Sequence, residues 1–168
     1  MVQNKKQIIH HAVFALVFIL LIFGDRITKN FAITSLRQDD ITIISGVFTL
    51  HYLENPGAAW GIFPNAIWFF AIITIVVLGA MIYFYSRIPV QKKFLLLRFT
   101  IILLAAGAIG NFIDRMMWHY VVDFLYIKAI NFPVFNVADC YVCVAAVLLI
   151  YCLLFRYKEE DFLWKKKN

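Results

Sequence analysis

Asp123 and Asp139 have no lysine or arginine within four residues on either side, so no neighbour in the chain holds either carboxylate ionised. Brought together, two such acids can share one proton, one acting as general acid while the other acts as base. Other polar residues come with partners. Asp25 and Lys29 are four residues apart, and Asn111, Asp114 and Arg115 follow Gly107 at three- and four-residue spacing. Each set lies on one helical face and reads as ion pairs and amides that tie helices together, Asp114 with its neighbour Arg115. Other chemistries are poorly provided for. Cys140, Cys143 and Cys152 fall in an apolar run that discourages thiolate formation and lack metal-site spacing, so Cys140 and Cys143 are expected to pack between helices. His10, His11, His51 and His119 form no ligand pair on the outer side, His119 reading as an interfacial residue. There is no serine elbow and no glycine-rich phosphate loop. Carboxylate chemistry remains, with no metal or cofactor called for.

The elements that must position these acids are membrane helices. The chain has 168 residues, 63% hydrophobic and 15% charged, with a mean hydropathy of +0.80. A soluble domain averages about 45–50% apolar and about 25% charged. The expectation is an all-α integral membrane protein in a single domain, residues 1–168, with four transmembrane helices. Apolar segments run from Ala12 to Gly24, Ala66 to Tyr85, Phe99 to Ile113 and Val137 to Phe155. A span needs about 20 helical residues to cross a hydrocarbon core of ~30 Å. The first and third segments are too short alone and must continue through their polar sequels, "DRITKNF" and "GNFIDRMMW". The resulting spans are 10–30, 64–86, 95–117 and 136–156, with outer loops 31–63 and 118–135 and an inner loop 87–94. Lys5 and Lys6 before the first apolar run also resemble the start of a secretory signal. No small-residue cleavage site follows Gly24, so an uncleaved first span is expected.

Lysine and arginine set the orientation. Lys5, Lys6, Arg87, Lys92, Lys93, Arg98, Arg156, Lys158 and Lys165 to Lys167 fall on one side, eleven of the 16 basic residues. That side is the cytoplasm, with both termini in it. The net charge of +6 thus reads as a topology signal with some attraction to anionic membrane lipid, and no basic exposed domain is present to bind nucleic acid. Seven of the ten acids, with Asn55, Asn111 and Asn136, then crowd the outer face. In the first outer loop, residues 41–53 are β-branched and aromatic with Gly46 as a turn, which predicts a small β-rich extracytoplasmic element between helices one and two. Asn55, Pro56 and Gly57 make a further turn. The small Ala58 and Ala59 after it fit either a tight re-entry loop or a platform for an extended peptide.

Three functional classes fit these residues. One is a carboxylate-dependent enzyme. The alternative is a small proton- or ion-coupled membrane transporter, since acids in membrane segments often mark such paths, although no acid lies near the midplane of a span. The third is an assembly factor whose outer loops hold a partner.

Five blocks carry a resemblance that separates them: "DRITK" (25–29), "NPGAAWGIF" (55–63), "GAIGNFIDR" (107–115), "VVDF" (121–124) and "FNVAD" (135–139). In this order they resemble the signature blocks of bacterial lipoprotein signal peptidase, signal peptidase II. The resemblance implies an aspartyl endopeptidase of the bacterial cytoplasmic (inner) membrane with its active site at the outer face. Its substrates would be lipid-modified prolipoprotein signal peptides, cleaved just before the diacylglyceryl-modified cysteine. It also implies Asp123 and Asp139 as the catalytic pair. Asp25, Lys29, Asn55, Gly57, Asn111, Asp114, Arg115, Asn136 and Ala138 match its supporting or substrate-contact positions. Two details depart from the pattern. Trp60 stands where another aromatic, often Phe, is usual, and Cys140 stands where a small hydroxyl residue is common, which leaves preference around the cleavage point open.

Overall fold

The computed structural model describes residues 2–57 and 66–161, with side chains from residue 7 onward. The loop from Ala58 to Phe63 with Trp60, the helix start expected near Pro64 and the tail lysines Lys165 to Lys167 lie outside the described residues, as do the side chains of Lys5 and Lys6. Four helices are long and apolar enough to cross a membrane. Helix α1 runs Val2–Ser35, α2 Ile67–Arg87, α3 Leu95–Trp118 and α4 Val137–Tyr151, the last prolonged by a π-helical turn, Cys152–Arg156. At 1.5 Å per residue α1 is ~51 Å long, well beyond a hydrocarbon core of ~30 Å. It runs on without a break through Asp25, Lys29 and Ser35, as the shortness of its apolar segment requires. Helix α3 does the same through Asn111, Asp114 and Arg115. It stops at His119, which adopts the left-handed conformation (φ 64°) and returns its N–H to the Arg115 carbonyl.

Helix α3 is the central element. It packs against α1, α2 and α4, and its small residues Ala106, Gly107 and Gly110 are buried where the backbones approach most closely. Helix α2 buries Ala71 and turns most of its large side chains outward, including Trp68 and Ile82. In water such a helix would be an error; in lipid it is the expected outer face.

One end of the helix bundle carries a three-stranded antiparallel sheet in the order β1 (Ile41–Ile44), β2 (Phe48–Asn55), β3 (Val121–Ile127). The first two strands are the expected hairpin, turned at Gly46 with φ +73°. The third lies within the segment expected as an outer loop, 118–135, and forms a strand. Val121, Val122, Asp123 and Phe124 are all buried. Covered on both faces, the strand shows no polar alternation, so its sequence carries little strand signal. Phe135 pairs with Leu125 through hydrogen bonds of 2.8 and 3.0 Å, which fastens the start of α4 to β3. Val122 and Phe124 then pack with Ala32 of α1, with Leu36 just beyond its end and with Tyr52, Trp118 and Tyr120.

Candidate active site

The site begins with a helix cap. Asn136 is the N-cap of α4, and its side-chain oxygen accepts from the Asp139 N–H at 3.0 Å. The Asp139 carboxylate reaches back to the Asn136 N–H, also at 3.0 Å, closing a capping box. Asp139 is therefore held rigidly in the first helical turn, where the helix dipole favours an anion. Asp123 comes from β3, opposite Leu53 of β2. Because Phe135 is tied to Leu125, the two short segments bearing the acids are locked to each other.

Three amides contact the carboxylates, and each has its orientation set by an unambiguous donor. The Asn111 oxygen accepts from Lys29 Nζ at 2.8 Å, so its NH2 faces Asp139, to which it donates at 2.7 Å. The Asn136 oxygen is taken by the Asp139 backbone, so its NH2 donates to Asp123 at 2.6 Å and to the Asn111 oxygen at 3.1 Å. The Asn55 oxygen accepts from the Gly57 N–H at 3.0 Å, and its NH2 donates to the other Asp123 oxygen at 2.8 Å. Among the described residues no hydrogen bond joins the two carboxylates directly; Asn136 connects them.

Behind the amides lies a cluster of four charges, buried except for half-buried Arg26. Lys29, fully buried, contacts Asp25 at 3.1 Å and Asp114 at 2.8 Å, and with Asn111 this satisfies its three donors. Arg26 pairs with Asp25 at 2.9 Å and with Asp114 at 2.5 Å. The pairing of Asp114 with Arg115 expected from sequence does not form. Asp114 faces α1 and also accepts from the Val122 N–H at 3.2 Å, next to Asp123 in β3. Arg115 turns the other way and donates to the Gly57 carbonyl at 3.1 Å. Asp25 accepts from the Ala138 N–H at 3.1 Å, which anchors the first turn of α4 to α1. Two acids and two bases balance here, so what Lys29 passes on to Asp139 is mainly the orientation of Asn111. Removing one member would leave a buried charge uncompensated, at a cost of about 3–5 kcal/mol.

The residues that the resemblance implies as catalytic or supporting are thus in one connected network: Asp25, Lys29, Asn55, Gly57, Asn111, Asp114, Arg115, Asp123, Asn136, Ala138 and Asp139. Arg26 was missed, although it stands inside "DRITK". Also missed was the apolar wall. Asp123 and Asp139 open onto a cavity of about 350 Å³ whose other sides include Val121, Phe132, Pro133, Val134 and Val142. Cys140 and Cys143 line this cavity, rather than packing between helices as expected. Burial, followed by the nearby Asp139 charge, pushes the Asp123 carboxyl up to about 7, against the pull of the Asn55 and Asn136 hydrogen bonds.

The family model described as signal peptidase (SPase) II matches residues 17–155. A lipoprotein signal peptidase from Streptococcus pyogenes serotype M5 (strain Manfredo) is 38% identical over 89% of this chain and 95% of its own length. Another from Streptococcus pyogenes serotype M18 (strain MGAS8232) has the same identity and coverage. A solved bacterial membrane enzyme, determined by the in meso method at 2.3 Å resolution, superposes with a TM-score of 0.77 at 34% identity, covering 88% of this chain and 93% of that one. Nothing in these relationships supports the transporter reading. Four described helices able to cross a membrane, a small sheet at one end of them and a matched span that takes in both aspartates lead to one conclusion: this multi-pass bacterial membrane protein is a protease belonging to the signal peptidase II family.

Proposed function

We propose that the chain is an aspartic endopeptidase that removes signal peptides from lipoprotein precursors, cleaving just before the diacylglyceryl-modified cysteine, with Asp123 and Asp139 as its catalytic pair. The observation that carries the reading is the two buried carboxylates, joined through Asn136, on the wall of an apolar cavity. Their surroundings favour different roles for the two acids. Asp123, with its carboxyl raised to about 7, holds a proton near neutrality and is the acid. Asp139 accepts from a backbone N–H and from the Lys29-oriented amide at a helix N-terminus, and is the ionised base.

Asp139 takes a proton from a water as its oxygen attacks the scissile carbonyl carbon, while Asp123 donates to the carbonyl oxygen. The tetrahedral intermediate then collapses. Asp139 returns its proton to the leaving amide nitrogen, Asp123 recovers one from the diol, and no covalent enzyme intermediate forms. The site faces the outer side, and both termini are cytoplasmic. The lipid on the substrate cysteine would lie against the apolar wall and help to align the scissile bond. Purified protein should cleave a diacylglyceryl-modified precursor and turn over its unmodified counterpart poorly. Equal rates on both would remove the lipid from recognition, and no cleavage of either would remove the assignment.

A further inference from the structure

Arg98, one of the basic residues on the side expected to be cytoplasmic, is only 1% exposed. It stands in the first turn of α3, in a helix that crosses the membrane. Nη1 donates to the Ile88 carbonyl at 2.7 Å, and Nη2 lies 3.3 Å from Nδ1 of His11. The guanidinium sits 4.1 Å from the Tyr85 ring centroid and 5.7 Å from that of Phe14. Nε is buried with no hydrogen-bond partner. Among the described residues no salt bridge joins a carboxylate to it, and Asp161 of the tail is engaged by Lys93. Guanidinium groups keep their charge in proteins. Carbonyl and ring contacts offset part of the burial, but the positive charge stays unneutralised at a depth where charges are normally paired.

Three of the residues touching Arg98 (His11, Phe14 and Tyr85) also line an apolar cavity of about 410 Å³ between α1, α2 and α3. Arg98 itself is behind them. The walls run from His11 to Phe18, from Tyr85 to Leu78 and from Ile101 to Ile109, each ~10–12 Å along its helix and each leading away from Arg98. Helices α1 and α2 both pack on α3, and the cavity occupies the wedge between them. Exposed Arg87 and Lys92 are at the same end of the bundle.

We propose that this slot binds one anionic glycerophospholipid, its phosphate at exposed His11, with the buried Arg98 guanidinium behind that ring, and one acyl chain along the wedge between α1 and α2. With Nδ1 of His11 accepting from Arg98, the ring proton lies on Nε2, and exposed His11 presents it as a donor to the phosphate. The charge complement is the phosphate that Arg98 lacks, and the apolar walls suit a chain rather than a free ion.

The test is a thermal-unfolding titration of the full-length protein in detergent with phosphatidylglycerol, with phosphatidylcholine of the same chains and with inorganic phosphate, alongside mass spectrometry of co-purified lipid. The wild type should show a saturable rise in Tm with phosphatidylglycerol and retain about tenfold more of it than of phosphatidylcholine. Inorganic phosphate should leave Tm unchanged. Ala105→Phe fills the slot while keeping Arg98 and should abolish the response with cleavage activity intact. Arg98→Gln should abolish the preference; if losing the Ile88 contact unfolds it, Ala105→Phe decides alone. Equal responses to the two lipids, a full response to inorganic phosphate, or an undiminished preference in Ala105→Phe would each overturn the site.

Discussion

At the scale of single residues, the site works by giving two chemically identical side chains different surroundings. Asp123 is buried in a strand and accepts from two neutral amides. Asp139 accepts from a backbone N–H and from an amide polarised by Lys29. The difference has a consequence for pH. Asp123 must be protonated to donate, and its carboxyl is raised to about 7. The competent fraction is full well below that pH and falls tenfold per unit above it. The rate should therefore decline with a slope of one above about pH 7, while on the acid side it declines as the base takes up a proton. The two limbs belong to the coupled pair rather than to either residue. A pH–rate profile on lipid-modified precursor measures this, and a rate flat to about pH 9 would remove Asp123 as the acid. The acids themselves were legible because neither had a local cation. The true partners of Asp114 were not, because Arg26 and Lys29 reach it from another helix and sequence adjacency pointed to Arg115.

At the scale of elements, close approach matters more than side-chain size. A Cβ on Gly107 would sit 2.5 Å from the Ala138 carbonyl oxygen and 2.8 Å from Val142. Gly107→Ala should push α4 away from α3, moving Asp139, and lower stability by about 1–3 kcal/mol together with turnover. Gly79, on the lipid-facing α2, has nothing within 4 Å, and Gly79→Ala should be neutral or slightly stabilising. Thermal unfolding of both variants checks the pair; equal effects would mean that the α3–α4 contact is not tight. Helices and hairpin were readable from apolar length and from Gly46. Strand β3 was not, since burial on both faces removes the alternation that marks a strand. The capping box was readable in principle: Asn136 followed three residues later by Asp139 is its sequence form, and it explains locally why an acid stands in the first turn of an apolar helix.

At the scale of the whole molecule, the polar network gathers at one end of the bundle and the clustered basic residues at the other. Asp40 lies at the network end and Gln91 at the opposite one. In a background with Cys140, Cys143 and Cys152 replaced by alanine, an impermeant thiol reagent applied to intact cells should label Asp40→Cys and miss Gln91→Cys. The reverse pattern would place the acids in the cytoplasm and exclude cleavage at the outer face. The same polarity of charge gives the protein two distinct lipid contacts in this reading, a substrate lipid near Asp139 and a resident one near Arg98.

Turnover of the aspartate variants on lipid-modified precursor tests the catalytic assignment most directly. Asp123→Asn and Asp139→Asn keep side-chain shape and remove the titrating proton, so each should lose about 10²–10⁴-fold in rate. The double variant should lose little more, because the two act as a unit. Asp114→Asn is the control: it weakens the ion pairs with Arg26 and Lys29 and should lower Tm more than it lowers the rate. Cleavage at close to the wild-type rate by a folded Asp123→Asn or Asp139→Asn protein would contradict the two-aspartate mechanism.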